Sequence, residues 1–215
     1  MPALTRWPAL VDWYLHEGKF LGEGEVRRLV NYLKKQGDMA RSQGNKIAVR
    51  DWLIIDLALS TGLRVSEIAH LCCGDVWIND HRASLIVRNG KGGKQRLVKF
   101  STDFKNHLNE YMEWKQKMGE DCNSESPLIQ SSNTKGKMST RGLQKVFERN
   151  AKRAGIEGYS IHSLRHTYAT FLLRASGNLR LVQKQLGHSS IKTTQVYADV
   201  FDEELVRALK KLYRN

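Results

Sequence analysis

Apolar residues recur at helical spacing along most of the chain. In residues 22–36, Val26, Leu29, Val30 and Leu33 share one face, which predicts an amphipathic helix. The polar run 41–45 predicts a loop. Residues 51–60 (DWLIIDLALS) are apolar almost all round, as in a buried helix, and Thr61-Gly62 breaks it. Residues 64–71 begin another helix. The period then changes to that of strands at 83–87 and 95–100, with Asn89-Gly90-Lys91-Gly92-Gly93 between them as a turn. This predicts a β-hairpin with Lys91 at or near its tip.

Helical spacing returns at 102–118 through Phe104, Leu108, Tyr111 and Met112. Residues 119–137 are polar, with a brief extended stretch at 127–129. At 140–154, Leu143, Val146, Phe147, Ala151 and Ala154 form an inner face, and Arg141, Lys145, Arg149, Lys152 and Arg153 the outer one. A helix is expected from Ser163 to a closing glycine at Gly177, and a short one over 179–186 that ends at Gly187. Another follows Ser190. The last, 202–213, opens with Asp202, Glu203 and Glu204 and closes with Lys210, Lys211 and Arg214, an order that suits the helix dipole. The pattern gives an α+β fold, mainly α-helical with a small antiparallel sheet.

Composition narrows the function. With 215 residues, 40% of them hydrophobic, the chain can bury one ordinary core with a short appendage. No apolar run is long enough to span a membrane, so no membrane partner is expected. The N-terminus lacks the basic-then-apolar pattern of a signal peptide, so the expected location is cytoplasmic and nucleoid-associated. Cys72, Cys73 and Cys122 form no metal or disulfide framework, and the neighbouring pair reads as small packed side chains.

The net charge of +13 is concentrated. Residues 82–105 net +6 and residues 134–184 net +9, leaving −2 for the remainder. Two basic blocks on an otherwise balanced chain predict a polyanionic partner, with nucleic acid favoured; a merely soluble surface is the plainer reading. The candidate DNA contacts are Lys94 and Arg96 in the first block and Arg141, Lys145 and Arg149 in the second.

The chemistry suggested is phosphoryl transfer. A phosphodiester under attack gathers negative charge on its non-bridging oxygens, and fixed donors must meet it. Arginine donates a planar fork and stays charged, and Arg64 and Arg165 are available. Tyr197 can supply a phenolate nucleophile, and Lys91 can protonate a leaving alkoxide. Each residue also has a plain reading. Tyr197 fits a half-buried helix position, His162 a helix start, His188 a helix end, Arg64 an ion pair with Glu67, and Lys91 a soluble turn.

Order and spacing favour the joint reading. TGLRVSEIAHL at 61–71, GKGGKQR at 90–96, HSLRHTYAT at 162–170 and LGHSSIKTTQVYA at 186–198 resemble, in order, the motifs of the tyrosine recombinases (phage integrase family, Xer-like). The resemblance implies the fold of that family's catalytic domain and a site-specific recombinase. In it Tyr197 forms a 3′-phosphotyrosyl link, Arg64 and Arg165 clamp the phosphate, and His188 supports the clamp. Lys91 acts as acid, His162 assists as base, and Glu67 orients the site from behind. It implies no cofactor, neither ATP nor a metal. It also implies double-stranded DNA as the partner and a homo-oligomer on it, a tetramer joined through the C-terminal helix, along with accessory or partner recombinases.

Family members carry a helical core-binding domain before the catalytic one. The expectation is an arm or linker over 1–18, a catalytic domain over 19–215 and no core-binding domain, as in a truncated chain or in short members such as the fimbrial invertases. Three alternatives stand beside this reading: a DNA-binding regulator on the same fold, a type IB topoisomerase, and a zinc hydrolase using His162 and His166. The last lacks the glutamate of HExxH and would set Arg165 beside a metal.

Overall fold

The computed structural model describes residues 19–79, 82–88 and 95–187. The expected arm at 1–18, the turn residues Lys91 and Lys94, His188, Tyr197 and the helices expected after Ser190 lie outside the described residues.

Helix α1 (Glu23–Ser42) starts where the Glu25 carboxylate accepts the Gly22 N–H at 2.8 Å. Glu23 and Glu25 also lie at the positive end of the helix dipole. The helix extends two residues into the loop expected at 41–45, as far as Ser42. Gly37 explains the difference. A Cβ there would stand 2.5 Å from the Trp52 ring, so its bare backbone lets α1 press directly on the next helix, and that packing carries the helix onward.

That next helix, α2 (Lys46–Thr61), is capped by Asn45, whose side-chain oxygen accepts the Ile47 N–H at 3.0 Å. Leu53, Ile54, Ile55 and Leu57 are fully buried, which bears out the all-round apolar reading. Helix α2 is the axis of the core and packs against α1 and, through its other faces, α3 (Val65–His70), α4 (Thr102–Lys117), α5 (Thr140–Arg153) and α6 (Ile161–Ser176). Its polar residues are paired. Arg50 donates to the Gln130 carbonyl and the Ser132 hydroxyl, and Asp51 accepts from Arg149 and Asn150.

The sheet is antiparallel and has three strands in the order β1 (Val76–Asn79), β2 (Arg82–Val87), β3 (Arg96–Lys99). Register pairs Val76 with Leu85 and Val87 with Arg96. β1 was not expected, and one turn of 3-10 helix (Cys73–Asp75) leads into it. Residues 127–129 form no strand. Pro127 makes an isolated bridge to Cys72, and Leu128 and Ile129 are buried. Cys72 and Cys73 are buried free thiols, and burial pushes the Cys73 thiol up to about 11.

Helices α4 and α5 start on Ser101 and Ser139, whose hydroxyls accept the N–H groups of Phe104 and Gly142. Helix α6 ends on Gly177, and α7 (Leu179–Leu186) on Gly187; both glycines are left-handed, with φ +60° and +66°. No helix among the described residues is long and apolar enough to cross a membrane.

Candidate active site

The site forms where three helix ends meet. Helix α2 ends on Gly62, a left-handed residue with φ +62°. The reversal leaves Arg64 as the N-cap of α3 and places Glu67 in that helix's first turn. Glu67 reaches back to accept the Arg64 N–H at 2.8 Å, closing the start of the helix.

Arg165 projects from α6 and is 8% exposed. Its Nη1 donates to the Gly62 carbonyl at 2.5 Å and its Nη2 to the Leu186 carbonyl at 2.9 Å. One guanidinium therefore ties the C-terminal end of α2 to that of α7. Carbonyls at helix ends lack partners within their helices and carry the negative end of the dipole, so a cation is favoured there. The Gly62 carbonyl lies two residues before Arg64, so the same contact brings the two predicted clamp residues into one neighbourhood. His162 begins α6 one turn before Arg165 and is exposed.

Glu67 is the hub. Its side chain is 4% exposed, and it accepts from Arg64 Nη1 at 3.0 Å and from the Arg96 fork at 2.8 Å through each oxygen. Burial alone would raise its pKa, but the Arg96 fork, the Arg64 N–H and the two positive charges together hold it below the ordinary carboxylate range. Glu67 is thus a carboxylate at neutral pH. Two guanidinium groups, those of Arg64 and Arg96, converge on this carboxylate, and that of Arg165 is tied to Gly62, two residues before Arg64; positive charge of this kind attracts an anion such as a phosphodiester.

Arg96 was expected to face DNA. Its side chain is instead 12% exposed and turned inward, with Nε donating to the Gln185 carbonyl at 3.1 Å. A Cβ on Gly187 would stand 2.6 Å from Arg96 Cδ, so the arginine stem lies against the end of α7. The outer face of α5 is divided. Lys145 is exposed, Arg141 is exposed and interacts with Gln144 and Glu148, and Arg149 pairs with the buried Asp51.

Gln185 has a role that the sequence did not disclose. Its side-chain amide donates to the Lys99 carbonyl at 2.8 Å and accepts the Lys99 N–H at 3.2 Å, as a neighbouring strand would. It also donates to the Tyr168 hydroxyl at 3.0 Å. β3 is thereby fastened to α7. The connection from Val87 to Arg96 contains Lys91, and Gly187 immediately precedes His188, so the clasp joins the elements on either side of two predicted site residues. Half-buried His166 is held below the ordinary histidine range, first by burial and then by the charges of Arg165, His162 and Lys19. Among the described residues, no group of three His, Cys, Asp or Glu side chains is placed to hold a metal ion.

Comparison with known proteins identifies the family and the fold. The chain matches the phage integrase family over residues 19–204. It is 35% identical over 164 residues to the tyrosine recombinase XerC of Corynebacterium efficiens, covering 76% of this chain and 51% of the relative. It is 37% identical over 163 residues to the tyrosine recombinase XerA of Thermococcus kodakarensis, covering 75% and 55%. The chain thus spans about half the length of these relatives. A crystal structure of XerA recombinase superposes with a TM-score of 0.72 at 28% identity, covering 91% of this chain and 66% of that one. The chain belongs to the phage integrase family, the tyrosine recombinases, and has the fold of their catalytic domain.

Proposed function

We propose that this chain cleaves and rejoins double-stranded DNA at a specific site through a covalent 3′-phosphotyrosine. The observation that carries the reading is Arg165 held on the Gly62 carbonyl, two residues before Arg64, whose guanidinium rests on an ionised, buried Glu67. The names of the relatives, tyrosine recombinases at 35% and 37% identity, point the same way.

In the proposed step the Tyr197 oxygen attacks phosphorus and the bond to the 5′-oxygen breaks. His162 takes up the tyrosine proton, and Lys91 donates a proton to the departing 5′-oxygen. Arg64 and Arg165, with His188, stabilise charge on the non-bridging oxygens. One phosphodiester is exchanged for another, so no ATP is consumed. A 5′-hydroxyl from another strand reverses the step and completes exchange. The working form is a homotetramer on DNA, linked through residues 202–213, in the cytoplasm with the nucleoid.

The test uses a library of randomised nicked duplexes, in which the cleaved 5′ fragment diffuses away and traps the intermediate. Wild type forms a covalent DNA adduct that survives denaturation in the presence of EDTA, and Tyr197→Phe forms none. Binding without an adduct would instead select the regulator reading. An adduct that EDTA abolishes would overturn the metal-free step.

A further inference from the structure

We propose that Arg96 is a positioning residue: it serves as the principal counterion of Glu67 and so leaves the Arg64 guanidinium available for the scissile phosphate. The inference rests on the proposed DNA-cleaving function and adds a residue to it.

A carboxylate has about four lone-pair sites. Oε1 accepts from Arg64 Nη1 at 3.0 Å and Arg96 Nη1 at 2.8 Å, while Oε2 accepts from the Arg64 backbone at 2.8 Å and Arg96 Nη2 at 2.8 Å. The carboxylate is therefore saturated, and its two partners hold it differently. Arg96 gives both arms of its fork, the geometry that binds a carboxylate most firmly. Arg64 gives one arm of its side chain, at the longer distance, and is 28% exposed. Among the described residues, Nε and Nη2 of Arg64 have no partner.

Arg96 is also anchored on its other side. Its Nε is held by the Gln185 carbonyl and its stem lies against Gly187, so the fork cannot swing away without disturbing the end of α7. Arg165 holds the next carbonyl, that of Leu186. With Arg96 removed, Glu67 would keep Arg64 as its nearest cation and draw both arms of that guanidinium onto itself. The charge would then be missing from the phosphate.

The test compares wild type and Arg96→Gln on the duplex recovered by covalent capture, made with either a phosphate or a neutral methylphosphonate at the scissile position. On phosphate, Arg96→Gln slows single-turnover cleavage by about 10- to 100-fold, the scale expected when a positioned group is displaced. On methylphosphonate, where less charge must be met, the ratio of wild type to variant falls towards one. Arg96→Lys, which keeps the charge and loses the fork, is intermediate on phosphate and carries the test if the glutamine variant fails to fold. In an Arg64→Ala background Arg96→Gln adds little further loss on phosphate, because Arg96 acts through Arg64. An equal loss on both substrates would overturn the proposal, as would full additivity with Arg64→Ala. Wild type lacking any adduct would refute the underlying function and the proposal with it.

Discussion

Gly62 joins the fold to the site, and replacing it with alanine separates two costs. The residue has φ +62°, so an L side chain there is strained by about 1–2 kcal/mol. The new Cβ would also stand 2.3 Å from Tyr168 Cδ1 and 2.9 Å from Leu186 Cδ2. Tyr168 presents the edge of a ring whose hydroxyl is held by Gln185, so it cannot simply fold aside. Overpacking of this kind adds about 1–3 kcal/mol, for a total of roughly 2–5 kcal/mol. At about 2–4 °C per kcal/mol for a chain of this size, Tm falls by roughly 4–20 °C. Gly155→Ala is the control. Gly155 has φ +68° and nothing within 4 Å of an added Cβ, so it bears the backbone strain alone. Urea unfolding of both variants at constant m gives the difference directly. Equal losses for Gly62→Ala and Gly155→Ala would show that the end of α2 has slack, and that Arg165 is not held as tightly as argued.

Two further outcomes follow from the same contacts. Because the His166 pKa is depressed, the unfolded chain binds more protons as pH falls below about 6.5, so stability should decline from there towards the lowered pKa. His166→Gln should flatten that acid limb in urea midpoints measured across the interval, and an unchanged slope would assign it to other groups. Arg149→Ala strips the main cation from Asp51, whose side chain is 6% exposed, but Arg149 itself is 39% exposed, so a screened cost of about 1–2 kcal/mol is expected. Arg141→Ala should change stability by no more than about 0.5 kcal/mol and should act instead on the salt dependence of DNA binding. The reverse ranking in paired melting and titration experiments would place Arg149, not Arg141, on DNA.

The parts of this molecule that were legible in sequence are those encoded by local pattern. The apolar stripe of α5 and the all-round apolar α2 are buried as their spacing implies, and Gly62, Gly177 and Gly187 close helices in the left-handed form. The reach of α1 past the apolar run at 22–36 was not legible, because Gly37 is a contact point for Trp52 and only the partner helix reveals that. β1 was missed because four residues carry little periodicity, and its pairing with β2 supplies what its own sequence does not. The spacing along α4 also gives no sign that Lys115 is fully buried against Glu120, 3.0 Å away. The site divides in the same way. The pairing of Arg64 with Glu67 was readable from spacing along one helix. The inward turn of Arg96 depends on Glu67, 29 residues away, and the clasp of Gln185 on Lys99 spans 86 residues. A basic residue in a basic block is most simply read as facing the polyanion, and only tertiary structure shows that Arg96 answers a buried carboxylate instead.

The central claim is that Tyr197 becomes bonded to DNA. The most direct measurement is mass spectrometry of the trapped adduct after digestion of both protein and DNA. The account predicts a nucleotide attached through its 3′-phosphate to the peptide containing Tyr197, with a free 5′-hydroxyl on the released strand. A nucleotide on any other residue, or one attached through a 5′-phosphate, would contradict it.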